Sequence, residues 1–102
     1  MALDLNKYSV LIVDGVREMR TSLRTTTKSM GAQDVYETKS GFEAIELLQA
    51  HNMDIVLCDY NLGEGRDGQQ VFEKAKEHGM IAPHAAPRIL FKRGCIGLYE
   101  LC

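Results

Sequence analysis

A short apolar run between two aspartates constrains the fold of this chain more than any other feature. The run is Ile55-Val56-Leu57-Cys58, preceded by Asp54 and followed by Asp59. Because four apolar residues are too few for a helix, the run predicts a fully buried strand of a parallel sheet, covered on both faces. Asp59 follows where the apolar residues stop. Its carboxylate is therefore predicted at the carboxyl end of the strand, the edge at which open α/β sheets bind their ligands.

A second run near the start of the chain has the same form, because Tyr8–Val13 ends at Asp14. Alternation of strand and helix patterns predicts βαβ units on a parallel sheet. The predicted fold is a flavodoxin-like, three-layer α/β domain with strand order 2-1-3-4, which brings Asp14 and Asp59 to one edge. The remaining predicted elements are a strand at Asp34–Thr38 and helices at about Arg17 to Met30, Gly41 to Asn52 (with a capping box of Ser40 and Glu43) and Gln69 to His78.

The last part of the chain fits this pattern less well. Residues 1–86 form the predicted βαβαβα portion, and 87–102 form a tail in which Pro87–Phe91 could be a fourth strand. A complete doubly wound domain would continue with another strand and two helices, which this tail does not predict. The first helix would then lack a neighbour, so we expect marginal stability or a homodimer through the exposed face of that helix.

Composition excludes several classes of function. The chain has 102 residues, enough for one domain, and its net charge of -2 gives no basic surface for nucleic acid or for a membrane. The first residues lack the apolar segment of a signal peptide. Three cysteines, one of them inside a predicted strand, do not suggest a disulfide framework, and we therefore expect a reducing cytoplasm.

Two aspartates at one edge of a sheet predict a site for a hard cation. Mg²⁺ prefers oxygen ligands and keeps several waters, so Asp14, Asp59 and the backbone carbonyl of Asn61 would suffice to bind it. Asp59 could then act as a nucleophile toward a phosphoryl group. The alternative is that both aspartates only end strands and begin turns, a frequent role of aspartate.

The spacing of four segments resembles the response-regulator receiver domain. These segments are Leu11–Asp14 with Met19-Arg20, Ser40–Ile45, Asp54–Asp59 and Asp67-Gly68, and the resemblance covers about residues 7 to 84. It implies a two-component signalling module and not an enzyme. By resemblance, Asp59 accepts a phosphoryl group from the phosphohistidine of a histidine kinase or a phosphotransfer protein, and Asp14 belongs to the acidic Mg²⁺ pocket.

The sequence also departs from the pattern of that family. Gly15 stands where a second acidic residue is usual, which weakens the expected binding of Mg²⁺. Ile89, Leu90 and Phe91 offer no hydroxyl at the end of the fourth strand. The family's lysine at the end of the fifth strand would fall beyond Cys102, and Lys92 is a weak substitute. We therefore expect slow or absent phosphorylation, and a truncated or frame-shifted end after about residue 86.

Two other functions remain open from the sequence. The first is an interaction module that keeps the fold without being phosphorylated, binding a partner or a second copy of itself. The second is a small metal-dependent phosphatase, in which a second aspartate normally follows the nucleophile by two residues. Asn61 occupies that position, which disfavours the phosphatase.

Overall fold

The predicted alternation of strands and helices is present in the computed structural model, which describes residues 5–59, 68–79, 88–92 and 98–100. The second helix ends two residues earlier than predicted, and the third begins and ends one residue earlier. In chain order the elements are β1 Ser9–Val13, α1 Arg17–Ser29, β2 Asp34–Thr38, α2 Gly41–Ala50, β3 Ile55–Asp59, α3 Gly68–Glu77, β4 Arg88–Lys92 and β5 Leu98–Glu100.

These strands form one sheet in the order β2-β1-β3-β4-β5. The pairings β2-β1, β1-β3 and β3-β4 are all parallel, which confirms the predicted order 2-1-3-4. The short strand β5 was not predicted, because its segment lacks a strand period. It pairs with β4 in antiparallel orientation, with Tyr99 opposite Phe91. Backbone hydrogen bonding to an existing edge can recruit such a segment without any side-chain pattern.

Successive residues of β1 point to opposite faces of the sheet and build two separate cores. Leu11 and Val13 pack with Phe72 of α3 and with residues of α2 on one face. Val10 and Ile12 pack on the other face, where Leu23 of α1 covers them in part. The strand period of two therefore makes β1 the centre of both layers, with all four residues fully buried.

The prediction that β3 is covered on both faces was wrong. Val56 and Cys58 are buried, whereas Ile55 and Leu57, which face the α1 side, are only half-buried. The described helix on that side packs on β1 and β2, so it protects these strands better than β3. An apolar run is therefore compatible with a strand that is completely buried on one face alone.

A glycine follows the end of α1, and the predicted capping box of α2 is present in modified form. Gly31, just after α1, has φ 95°, the left-handed conformation typical of a helix C-terminus. At the start of α2, the Ser40 side chain accepts a hydrogen bond from the Glu43 backbone N–H at 3.4 Å. The return half of the capping box runs through Thr38. Its hydroxyl accepts from the Ser40 N–H (3.2 Å) and donates to the Glu43 carboxylate (2.6 Å).

None of the described helices is long and apolar enough to cross a membrane.

Candidate functional site

The two predicted site aspartates lie on neighbouring strands at the carboxyl edge of the sheet. Val13 of β1 is in register with Cys58 of β3, and Asp14 and Asp59 each come one residue later. Adjacent strands lie about 4.8 Å apart, so the two aspartates belong to the same row of the sheet. This row places two carboxylate-bearing residues side by side at the edge where ligands bind in such folds.

Three hydrogen bonds fix the position of Asp14. Its backbone N–H donates to the Thr38 carbonyl of β2 at 3.0 Å. Its Oδ1 accepts from the backbone N–H of Val16 at 2.8 Å, and its carbonyl accepts from Nη1 of Arg20 at 2.8 Å. Asp14 is 2% exposed. The turn between β1 and α1 is therefore bonded to β2 and to the start of α1, which leaves the carboxylate little freedom to move.

The contact of Arg20 with Asp14 was not predicted. Arg20 lies in the first turn of α1, and its side chain is only 16% exposed. Its Nε also pairs with Glu37 of β2 at 3.5 Å, while the more exposed Arg24 reaches the same carboxylate at 3.4 Å. An arginine early in the helix after a strand-ending aspartate was the available sequence signal. The arginine donates to the backbone carbonyl of Asp14, however, and no sequence pattern identifies a backbone acceptor.

Asp59 is the last residue of β3 and is half-buried. Its carbonyl accepts a hydrogen bond from the buried thiol of Cys58 at 3.2 Å. On its other side Asp59 is in register with Lys92, the last residue of β4. The backbone of a lysine therefore stands next to the predicted phosphoryl acceptor, in the strand whose end normally supplies a hydroxyl in the family that the sequence resembles.

Asp14 and Asp59 are two carboxylate-bearing residues, and Mg²⁺ commonly takes one or two carboxylates from a protein while it keeps several waters. Their number is therefore compatible with a hydrated Mg²⁺ ion. Asn61 lies outside the described residues, as do Tyr60 and residues 62–67. In the described part of the chain, no cluster of three or more histidine, cysteine or acidic side chains could hold a metal.

Gly15 leaves open space beside this pair of carboxylates. A Cβ atom built at Gly15 would meet no other atom within 4 Å, and the residue is exposed. Its φ is outside the left-handed region, where other residues would be strained. Position 15 therefore lacks a carboxylate because of residue identity and not because of steric exclusion.

Comparison with known proteins identifies the family. Residues 10–91 match the family model described as the response regulator receiver domain, which is most of the chain. The chain belongs to this family. Receiver domains are the phosphorylated modules of two-component signalling, and they generally act as signalling modules and not as enzymes. The family match continues past residue 86 and includes most of β4.

Two solved structures have a similar fold. The receiver domain is 15% identical to the MaeR response regulator bound to beryllium trifluoride, with a TM-score of 0.72 over 88% of this chain and 70% of that one. It is 23% identical to a fusion protein that contains a yeast Spc42 trimeric coiled coil, with a TM-score of 0.71 over 88% of this chain. The receiver domain spans only 55% of that fusion. At these identities the similarity concerns the fold.

Proposed function

We propose that this receiver domain accepts a phosphoryl group on Asp59 from the phosphohistidine of a cytoplasmic histidine kinase or phosphotransfer protein. The observation that carries the proposal is the shared row of Asp14 and Asp59 at the carboxyl edge of the sheet. This arrangement occurs in a chain that matches the receiver family over residues 10–91.

The transfer requires little covalent chemistry from the protein. A carboxylate oxygen of Asp59 attacks the phosphorus, a P–O bond forms, and the P–N bond to the donor histidine breaks. The electron pair of the broken bond stays on the imidazole nitrogen, which leaves as neutral imidazole once it holds a proton. Catalysis of such a transfer is mainly positioning and electrostatic stabilisation of the phosphoryl oxygens.

In this proposal Asp14 contributes to the binding of the Mg²⁺ ion. Its Oδ1 accepts a hydrogen bond from the backbone N–H of Val16, which orients the carboxylate. Asp14, Asp59 and the carbonyl of Asn61 would hold a Mg²⁺ ion. When bound, the ion would neutralise charge on the phosphoryl oxygens.

The reaction is proposed to be slow in this chain. Ile89 and Leu90 of β4 carry no hydroxyl, and Gly15 carries no carboxylate. The backbone of Lys92 in β4 is in register with Asp59. The phosphoryl group thus loses contacts that act on its oxygens in the transition state, which are the interactions that accelerate transfer.

Intact-mass spectrometry after incubation with acetyl phosphate and Mg²⁺ tests this proposal. The wild-type chain is expected to gain the mass of one phosphoryl group, and Asp59→Asn is expected to gain none, because the amide cannot act as the nucleophile. Asp34→Asn is the matched control, since Asp34 is exposed and begins β2 at the opposite edge of the sheet.

Asp34→Asn should react at the wild-type rate. Phosphorylation of Asp59→Asn would contradict the assignment of the acceptor. A wild-type chain that stays unmodified, even after an incubation many times longer than an ordinary receiver domain needs for complete reaction, would remove phosphoryl transfer from the function of this chain.

A second candidate function is self-association through the α1 side of the molecule. Ile55, Leu57 and Leu90 are half-buried on or beside this face, and the apolar residues Met19 and Leu23 of α1 are half-buried as well. Contiguous apolar surface of this kind is typical of an interaction site. A two-fold pairing of two copies would bury the same patch on both.

Sedimentation velocity over a range of concentrations tests this second candidate. The wild-type chain is expected to associate as concentration rises, and Leu57→Gln is expected to remain monomeric because it places an amide in the patch. Leu48→Gln is the control, since Leu48 is half-buried against the core on the other face of the sheet. A wild-type chain that is monomeric at all concentrations, or a Leu48→Gln variant as monomeric as Leu57→Gln, would contradict the candidate.

A further inference from the structure

A groove runs between α2 and α3, and its described lining contains neither Asp14 nor Asp59. It encloses about 550 Å³, and its surface is more apolar than polar. Residues 42, 45, 46 and 49 line one side at helical spacing, and residues 70, 73, 74 and 77 line the other. Each helix has ten residues, so the groove is about 15 Å long.

The floor of the groove is apolar and its upper edge carries an exposed aromatic ring. Ile45 and Ala75 form part of the floor and belong to the core, with 9% and 3% exposure. Phe42, at the start of α2, is 65% exposed and also lines the groove. A large aromatic side chain at the edge of an apolar groove is the kind of residue that anchors protein interfaces.

The charges along the groove are mainly negative. Glu46 lies on the α2 side, and Glu73 and Glu77 lie one turn apart on the α3 side. Lys74 and His78 also line the groove, so the described lining carries three carboxylates and one ammonium group. Carboxylates on both sides of an apolar floor complement a helix that has an apolar face between two rows of basic residues.

We propose that the α2–α3 groove binds an amphipathic helix of a partner protein, about three turns long, whose apolar stripe is flanked by lysine or arginine. The apolar stripe contacts Phe42, Ile45 and Ala75, and the basic residues face the carboxylates on each side. None of these contacts involves Asp14 or Asp59, so the proposed interaction does not require phosphorylation of Asp59.

A synthetic peptide about three turns long, with leucine at helical spacing and lysine elsewhere, provides the probe. Binding to the full chain is measured by fluorescence anisotropy, and its location is measured by backbone amide chemical shifts. We expect shifts confined to α2 and α3. Phe42→Ala and Glu46→Lys are each expected to weaken binding about tenfold, because they remove an apolar anchor and invert a complementary charge.

Two controls separate this site from general attraction to an acidic protein. Asp34→Lys changes the net charge as much as Glu46→Lys but lies on β2, so it should change binding by less than about twofold. A peptide with glutamate in place of lysine should not bind. The proposal is overturned if the lysine peptide fails to bind, if the shifts map to α1 or β3, or if Asp34→Lys weakens binding as much as Glu46→Lys.

A second copy of the chain is the competing occupant. Self-association that Phe42→Ala abolishes, measured by sedimentation velocity without peptide, would assign the groove to that copy and overturn the proposal. Self-association that Phe42→Ala leaves unchanged, together with peptide shifts on α2 and α3, supports the partner helix.

Discussion

Replacing Gly15 by aspartate is expected to raise the affinity for Mg²⁺ by about 10- to 100-fold, the range by which even indirect partners change metal binding. The substitution adds a carboxylate directly after Asp14, the residue that shares a row of the sheet with Asp59. The structure accepts it, because a Cβ at this position meets no atom within 4 Å and the backbone φ is ordinary. Isothermal titration calorimetry with MgCl₂ measures the change in affinity. The rate at which acetyl phosphate phosphorylates the chain should rise together with the affinity.

Gly15→Asn is the matched control for this prediction. Asparagine has nearly the same size as aspartate but carries no charge, so it should leave the Mg²⁺ affinity close to that of the wild-type chain. The comparison also removes the effect of adding any side chain before the first turn of α1. Equal affinities for Gly15→Asp and Gly15→Asn would show that the aspartate row does not bind the cation.

Replacing Phe72 by alanine is expected to cost about 3–5 kcal/mol of the free energy of unfolding. Phe72 is fully buried between α3 and the sheet, where it packs with Leu11, Val13 and Val56. Domains are commonly stable by about 5–15 kcal/mol, so the variant would be close to unfolded if the wild-type stability lies at the lower end of this range. Urea denaturation followed by circular dichroism measures the loss, which is useful because the chain has no tryptophan.

Phe42→Ala provides the same chemical change at an exposed position. Phe42 is 65% exposed, so its truncation should change the free energy of unfolding by no more than about 0.5 kcal/mol. If Phe72→Ala does not fold at all, Phe72→Leu should give a loss of about 1 kcal/mol that can be measured. Similar losses for Phe72→Ala and Phe42→Ala would contradict the position of α3 on the sheet.

The sequence predicted most elements within two residues because their signals are local. The run before Asp59, the alternation in β2 and the helical spacing in α1 each depend on neighbours in the chain. Parallel strands joined by right-handed crossovers allow few arrangements, so the strand order also followed. That order places Asp14 and Asp59 at the carboxyl edge, which is why the candidate acceptor could be named from the sequence.

The burial of β3 could not be predicted in the same way. An apolar residue is compatible with a covered or a half-covered face, and the difference depends on where a distant helix packs. The apolar sequence Ile55-Val56-Leu57-Cys58 looks uniform, yet the structure buries alternate residues to different degrees. The sequence predicted self-association through the first helix, and the tertiary structure adds Ile55 and Leu57 of β3 to that surface.

The sequence by itself determined the fold class, the strand order and the two aspartates that end neighbouring strands, because periodicity and chain connectivity specify them. Only the tertiary structure decided the contact of Arg20 with the Asp14 carbonyl, the route of the α2 cap through Thr38 and the groove beside Phe42. The physical reason is that these features join backbone atoms, or surfaces of separate elements. Every residue carries the same backbone, so sequence patterns do not distinguish which backbone group or which surface will be used.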